Sequence, residues 1–122
     1  MHLRSVRLSG VAILAVLFLA LPQAALAHAI LMRSNPAPHA VVSGDVLSIE
    51  LHYNSRVDGA RSKLILTGPD GKDADLGKVS QPAADTLVST ATHLTPGEYQ
   101  LHWIALAADG HISRGAIPFT VK

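Results

Sequence analysis

Seven histidines stand in this 122-residue chain, and two of them occupy positions where a histidine can do what others cannot. His28 follows Ala25-Leu26-Ala27, small residues of the kind a signal peptidase cuts behind. Cleavage there makes His28 the first residue, whose α-amine and ring Nδ1 can close one chelate ring on a metal ion. An internal histidine carries an amide in place of the amine. Near the other end, Asp109 and His111 flank Gly110, so in an extended or tightly turned segment both side chains face the same way. Together these residues offer three nitrogens and one carboxylate oxygen, a donor set that suits Cu(II) and that the affinity order of divalent ions also assigns to copper above zinc. There is no cysteine, and Met32 is the single methionine beyond Met1, so Cu(I) is poorly served.

The remaining histidines read differently. His2 belongs to the leader described below, His39 follows a Pro-rich turn, His52 and His102 fall on the polar faces of strands, and His93 adjoins a turn. These are expected to be exposed or locally bonded rings. An Asp-Gly pair is also a common turn in which a neighbouring His is tolerated. The residues alone therefore leave a metal centre and an inert scaffold both open.

The leader is residues 1–27. His2, Arg4 and Arg7 give it a basic start, and Val11 to Leu21 form an apolar run ended by Pro22. That run falls short of the roughly 20 apolar residues a membrane-spanning helix needs. A second small-x-small site, Ala27-His28-Ala29, overlaps the first and would start the mature chain at Ile30, deleting the histidine; the spacing from Pro22 favours the earlier cut. With no cysteine, anchoring through an acylated Cys is excluded, and no membrane anchor is expected after cleavage. Residues 28–122 are then one small domain. Arg4 and Arg7 leave with the leader, so acidic residues outnumber the remaining basic ones by one. No face gathers the Lys and Arg that nucleic acid would require. An exported chain without disulfides must rely on a well-patterned core or on a ligand.

The elements that must position His28 and the Asp109–His111 pair show period-two alternation rather than helical periodicity. In "VLSIELHY" Leu47, Ile49, Leu51 and Tyr53 share one side, with Ser48, Glu50 and His52 on the other. "EYQLHWIAL" sets Tyr99, Leu101, Trp103 and Ala105 together, and "AIPFTV" does so with Ile117, Phe119 and Val121. Pro118 lacks an amide hydrogen, which predicts an edge position or a bulge for the last strand. Turns are marked by "NPAP" at 35–38, "GPDG" at 68–71 and "LTPG" at 94–97. Short strands at this spacing with no helix between them predict an all-β antiparallel sandwich or barrel. Tyr99, just inside a strand after a Pro-Gly turn, predicts the tyrosine corner of immunoglobulin-like sandwiches, in which the hydroxyl bonds to nearby backbone.

"HAILMRSNPAPHAVV", "LTPGEYQLHW" and "ALAADGHISRG…F" together resemble the CopC family of periplasmic copper resistance proteins, in order and across almost the whole of residues 28–122. The resemblance implies a small Greek-key β-sandwich that binds Cu(II), with His28, Asp109 and His111 as metal ligands and Trp103 as packing. It implies a non-enzymic role in the periplasm: copper is sequestered or carried for resistance or homeostasis, and handed to an inner-membrane transporter of the CopD type. An exposed edge near Pro118 is consistent with a monomer. Two departures stand out. Many members carry an acid in a Phe-Ser-Glu-Pro-like segment where "YNSR" stands here, with Ser55 and Arg56, and members with an added Cu(I) site carry a Met-rich loop where "GPDGKDADLGK" has none. The family's Pro-Val-Ser after the loop histidine is Ile112-Ser113-Arg114, and Arg114 is expected to point to solvent rather than steady Asp109. Two further classes compete. One is a copper monooxygenase, whose site has the same amino-terminal histidine. The other is a metal-free interaction module.

Overall fold

The computed structural model describes residues 28–122; the leader assigned to residues 1–27 lies outside them. Nine strands follow in order: β1 (Leu31–Asn35), β2 (Ala40–Val42), β3 (Leu47–Tyr53), β4 (Lys63–Thr67), β5 (Asp75–Leu76), β6 (Ser80–Ala83), β7 (Thr86–Thr92), β8 (Gly97–Leu106) and β9 (Ile112–Val121). No helix occurs among the described residues. One sheet has the order β1-β3-β7-β5, with β6 also pairing β7, and the other has the order β2-β9-β8-β4. The chain crosses repeatedly from one sheet to the other, from β1 to β2, from β3 to β4 and from β4 to β5, which makes a Greek-key sandwich rather than a meander.

Alternation decides which side chains lie between the sheets. Ile49, Leu51 and Tyr53 from β3 and Leu87 and Ala91 from β7 face Leu66 from β4, Leu101, Trp103 and Ala105 from β8, and Ile117, Phe119 and Val121 from β9. Ile49, Leu51, Leu87 and Leu101 are wholly inaccessible to solvent, and each such burial contributes roughly 1.5–3 kcal/mol relative to exposure. Tyr53 meets Trp103 edge-on across the two layers, and within the second sheet Tyr99 stacks on its β9 partner Phe119, both at centroid distances of 5.4 Å. Trp103 in turn lies against Gly115, where an added Cβ would come within 2.5 Å of the indole. All of this is achieved without a cysteine.

The tyrosine corner is present. The Tyr99 hydroxyl accepts from the Thr95 N–H at 2.9 Å and donates to the Thr95 carbonyl at 3.0 Å. One side chain thus satisfies both backbone groups of a residue that has just left one sheet and not yet entered the other.

Two local expectations change. β2 runs parallel to β9, an exception in an otherwise antiparallel fold. Its four-residue connection from β1 carries the chain across the sandwich instead of turning it back in the same sheet. β9 is also interior at Pro118 rather than an edge or a bulge, since Pro118 stands opposite Gln100 of β8 while β2 begins on the other side. The Pro118 carbonyl accepts from the His39 N–H at 2.7 Å. In a strand the nitrogen and carbonyl of one residue point the same way, so the nitrogen without a hydrogen faces the first residues of β2, and registered pairing there starts only at Phe119. The missing donor falls where the ladder ends, which is where a proline is tolerated.

Replacing Tyr99 with Phe removes only the hydroxyl and leaves the Thr95 N–H and C=O without that partner. The expected outcome is a loss of about 1–3 kcal/mol in unfolding free energy, read from urea denaturation, with the strand signature in circular dichroism unchanged.

Candidate metal centre

β8 and β9 form the long hairpin of the second sheet, paired from Gly97↔Val121 to Leu106↔Ile112. Its connecting turn carries Asp109 and His111. The turn closes by backbone bonds, Ala107 N–H to the His111 carbonyl at 2.8 Å and Gly110 N–H to the Ala107 carbonyl at 3.0 Å. Gly110 has φ of +91°, a conformation in which a side chain would be strained. Asp109 is bonded twice to His111. Its Oδ1 accepts from the His111 backbone N–H at 3.1 Å, and its Oδ2 lies 2.5 Å from His111 Nδ1. The carboxylate thereby orients the imidazole by one nitrogen, and Nε2 has no hydrogen bond among the described residues, the arrangement commonly found behind a histidine that binds a metal.

That same ring holds the Asp109 carboxyl below its usual range, with the bond from the imidazole as the largest cause, followed by the backbone N–H of His111. Asp109 therefore keeps its negative charge to lower pH in the folded chain than in the unfolded one. Its contribution to stability is in place above the unfolded value and is lost as pH falls through the depressed folded value.

His28 arrives at this turn from the other end of the described chain. Its ring centroid lies 4.9 Å from that of His111, with the planes tilted by 54°. Two imidazoles that each reach one ion at about 2.0–2.1 Å have centroids roughly 4.5–6.5 Å apart, so the spacing fits a shared ion. Asn54 anchors the approach: its side-chain oxygen accepts from the Ile30 N–H at 2.8 Å, and its own N–H donates to the Ile30 carbonyl at 2.9 Å. The structure thus brings His28, Asp109 and His111 to one pole, although no group of three His, Asp or Glu side chains among the described residues is arranged to hold an ion by itself.

The other histidines among the described residues are exposed or locally bonded, as expected. His52 bonds Thr86 Oγ1 through Nδ1 at 3.2 Å and Glu50 through Nε2 at 3.3 Å, and His93 bonds Asp75 at 3.2 Å. His39 and His93 occupy left-handed turn positions, with φ of 65° and 56°, and His102 is exposed on the outer face of β8. Arg114 is exposed and makes no ion pair with Asp109. At the segment singled out for lacking an acid, Arg56 is exposed, while the Ser55 Oγ is buried without a partner, as is the Tyr53 hydroxyl. Burial raises the Tyr53 hydroxyl well above its ordinary value, so it stays protonated. Asn54 was not legible as a site residue, because nothing in the type or spacing of an asparagine at a strand end distinguishes it from one that merely starts a turn.

Comparison with known proteins agrees in fold and in family. The profile of the CopC domain matches residues 31–122. The chain is 31% identical over 99 residues to Protein YobA of Escherichia coli strain K12, covering 79% of this chain and 80% of that protein. It is 31% identical over 106 residues to Copper resistance protein C of Xanthomonas campestris pv. juglandis, covering 80% and 83%. Among solved structures, CopC from Methylosinus trichosporium OB3b superposes with a TM-score of 0.72 at 26% identity, covering 78% of this chain and 94% of that one.

The Asp109 carboxyl is expected to titrate below the ordinary value of 3.8 when followed by carbon-detected NMR, and replacement of His111 by Ala should return it upward. An Asp109 midpoint identical in the two proteins would contradict the bonding described.

Proposed function

Because the chain belongs to the CopC family, we propose that it is a periplasmic Cu(II)-binding protein that sequesters or carries copper in resistance or homeostasis. One observation carries the reading: the ring of His28 approaches the ring of His111, whose other nitrogen is already held by Asp109. The two imidazoles supply two nitrogens, and the α-amine of His28 supplies the third once a signal peptidase has cut behind Ala27. The main-chain nitrogen accounts for the donor that side chains alone do not provide. Asp109 contributes the carboxylate, which offsets part of the cation's charge beside the oriented His111 ring. Nitrogen and oxygen donors without thiolate or thioether favour the cupric ion over the cuprous one. The names of relatives support copper as the metal, since one is a copper resistance protein.

Carriage rather than catalysis is the role that the surface supports. Tyr53, Tyr99, Trp103 and Phe119 are all buried, none more than 8% exposed, so the described residues present no aromatic face for gripping a polysaccharide. The centre sits on an exposed turn, with the His111 side chain 56% accessible, where a metal can be passed on. The recipient in this reading is an inner-membrane transporter of the CopD type.

The test begins with the mature amino terminus by mass spectrometry and continues with Cu(II) titration of residues 28–122, with and without one glycine ahead of His28. The glycine converts the amine to an amide, and affinity should fall by more than the roughly 10–100-fold that loss of an outer-shell partner costs. Equal affinities would overturn the ligand set. Affinity should also decline as pH drops below neutral, because the amine and both imidazoles must be deprotonated to bind; a flat profile between acidic and neutral buffer would count against them.

A further inference from the structure

The chain immediately after His28 is tied down at three successive residues. Ala29 is buried in the core at 3% exposure, although His28 and Ile30 on either side of it are exposed. Ile30 is clasped by Asn54 through both its N–H and its carbonyl. Leu31 then opens the β1–β3 ladder opposite Tyr53, with a register shift before Arg33. Half of the clasp, the Asn54 N–H on the Ile30 carbonyl, is backbone and available to any residue except proline. The other half is specific to this side chain. β3 ends at Tyr53, and the acceptor that meets the Ile30 N–H one step beyond the ladder is Asn54 Oδ1.

Chain ends fray unless something holds them. His28 lies two residues ahead of the clasp, a reach of at most about 7 Å for extended backbone, so fixing Ile30 confines His28 to the neighbourhood in which its ring meets His111. Without the side-chain bond, ordering residues 28–30 would be left to the single methyl group of Ala29 and one backbone bond. The entropy of ordering that end would then be lost at the moment a ligand bound rather than on folding.

We propose that Asn54 is a positioning residue for the metal centre, holding Ile30 through Oδ1 so that His28 is organised against His111 before copper arrives. This rests on the ligand set proposed above. It also assigns Ala29 and Ile30 as the fixed register from which one residue must project, so a chain trimmed to start at Ile30 would lose a core side chain as well as a ligand.

The experiment compares the wild-type protein with Asn54→Ala, Asn54→Asp and His28→Ala, all cut behind Ala27. It reads Cu(II) affinity by competition, the electron paramagnetic resonance spectrum of the loaded protein, hydrogen exchange at the Ile30 amide, and the melting temperature without metal. Asn54→Ala should exchange faster at Ile30, bind copper roughly tenfold more weakly, give an altered spectrum, and melt close to wild type, because the lost bond is exposed. Asn54→Asp, which keeps an acceptor oxygen, should restore both the Ile30 protection and the wild-type spectrum. Asn54→Ala with wild-type affinity and spectrum, alongside a weakened His28→Ala, would overturn the positioning role while leaving the ligand set standing. Loss of the fold in Asn54→Ala would also overturn it, by making Asn54 a structural residue. His28→Ala binding as tightly as wild type would instead overturn the ligand set itself.

Discussion

The approach of His28 to His111 depends on the docking of the first few described residues along the end of β3. His28 and His111 are separated by most of the sequence, and no local preference can bring them together. What does so is a ladder: β1 pairs with β3, β3 ends at Tyr53, and the next residue, Asn54, holds Ile30. The same pole receives the β8–β9 turn, because Val57 bridges to Ala107 and the Asp58 N–H donates to the Leu106 carbonyl at 2.8 Å. The segment from 54 to 58 is therefore the hinge-post between the two ends. It belongs to the first sheet through β3 and touches the hairpin of the second.

That arrangement explains why a sandwich with a modest core and no disulfide can hold a defined site. Precision at one pole is supplied by contacts between the segment after β3 and the end of β8, while the opposite pole carries the Tyr99 corner and the stacking of Tyr99 on Phe119. The aromatic residues are all committed to the interior. Each sheet contributes a large ring near the site, Tyr53 from one and Trp103 from the other, and Gly115 lets the indole lie flat against β9. A rigid floor beneath an exposed turn is the condition under which a carboxylate can hold an imidazole in one orientation.

Much of this was legible in the residues. The period-two runs placed Ile49, Leu51, Leu101, Trp103, Ile117 and Phe119 inside, because a half-buried strand admits one register. "LTPGEY" announced the corner, since few other motifs put a tyrosine just after a Pro-Gly turn. The types of His28, Asp109 and His111 singled out three residues that the fold brings to one pole. What escaped was relational. Pro118 reads as an edge or bulge residue until the partner strand is seen to begin just beyond it, and an all-antiparallel sandwich is the expectation until the short connection after β1 is seen to cross to the other sheet and pair β2 parallel to β9. That both Asp109 oxygens also accept from His111 could not be read from the spacing of the two residues. Asn54 carries no signal of its own, because its role exists only relative to a backbone amide 24 residues away.

The surplus of histidines bears on selectivity as well. A chain with several imidazoles on its surface would scatter a nitrogen-seeking cation unless pairs were kept apart, since a second chelating pair would compete for it. Here each of the others has separate occupation or isolation. His52 lies between Thr86 and Glu50, and His93 is turned to Asp75. His39 is fixed in a left-handed turn at the far end of β9, and His102 stands alone on the outside of β8. The one contact between histidine rings among the described residues is that of His28 with His111. The separation follows from placement, since His39 precedes β2, His52 lies in β3, His93 follows β7 and His102 lies in β8, while the β8–β9 turn and the start of the described chain converge. The fold therefore does two things with one set of ladders: it brings one pair of imidazoles together and keeps the remaining rings from forming another.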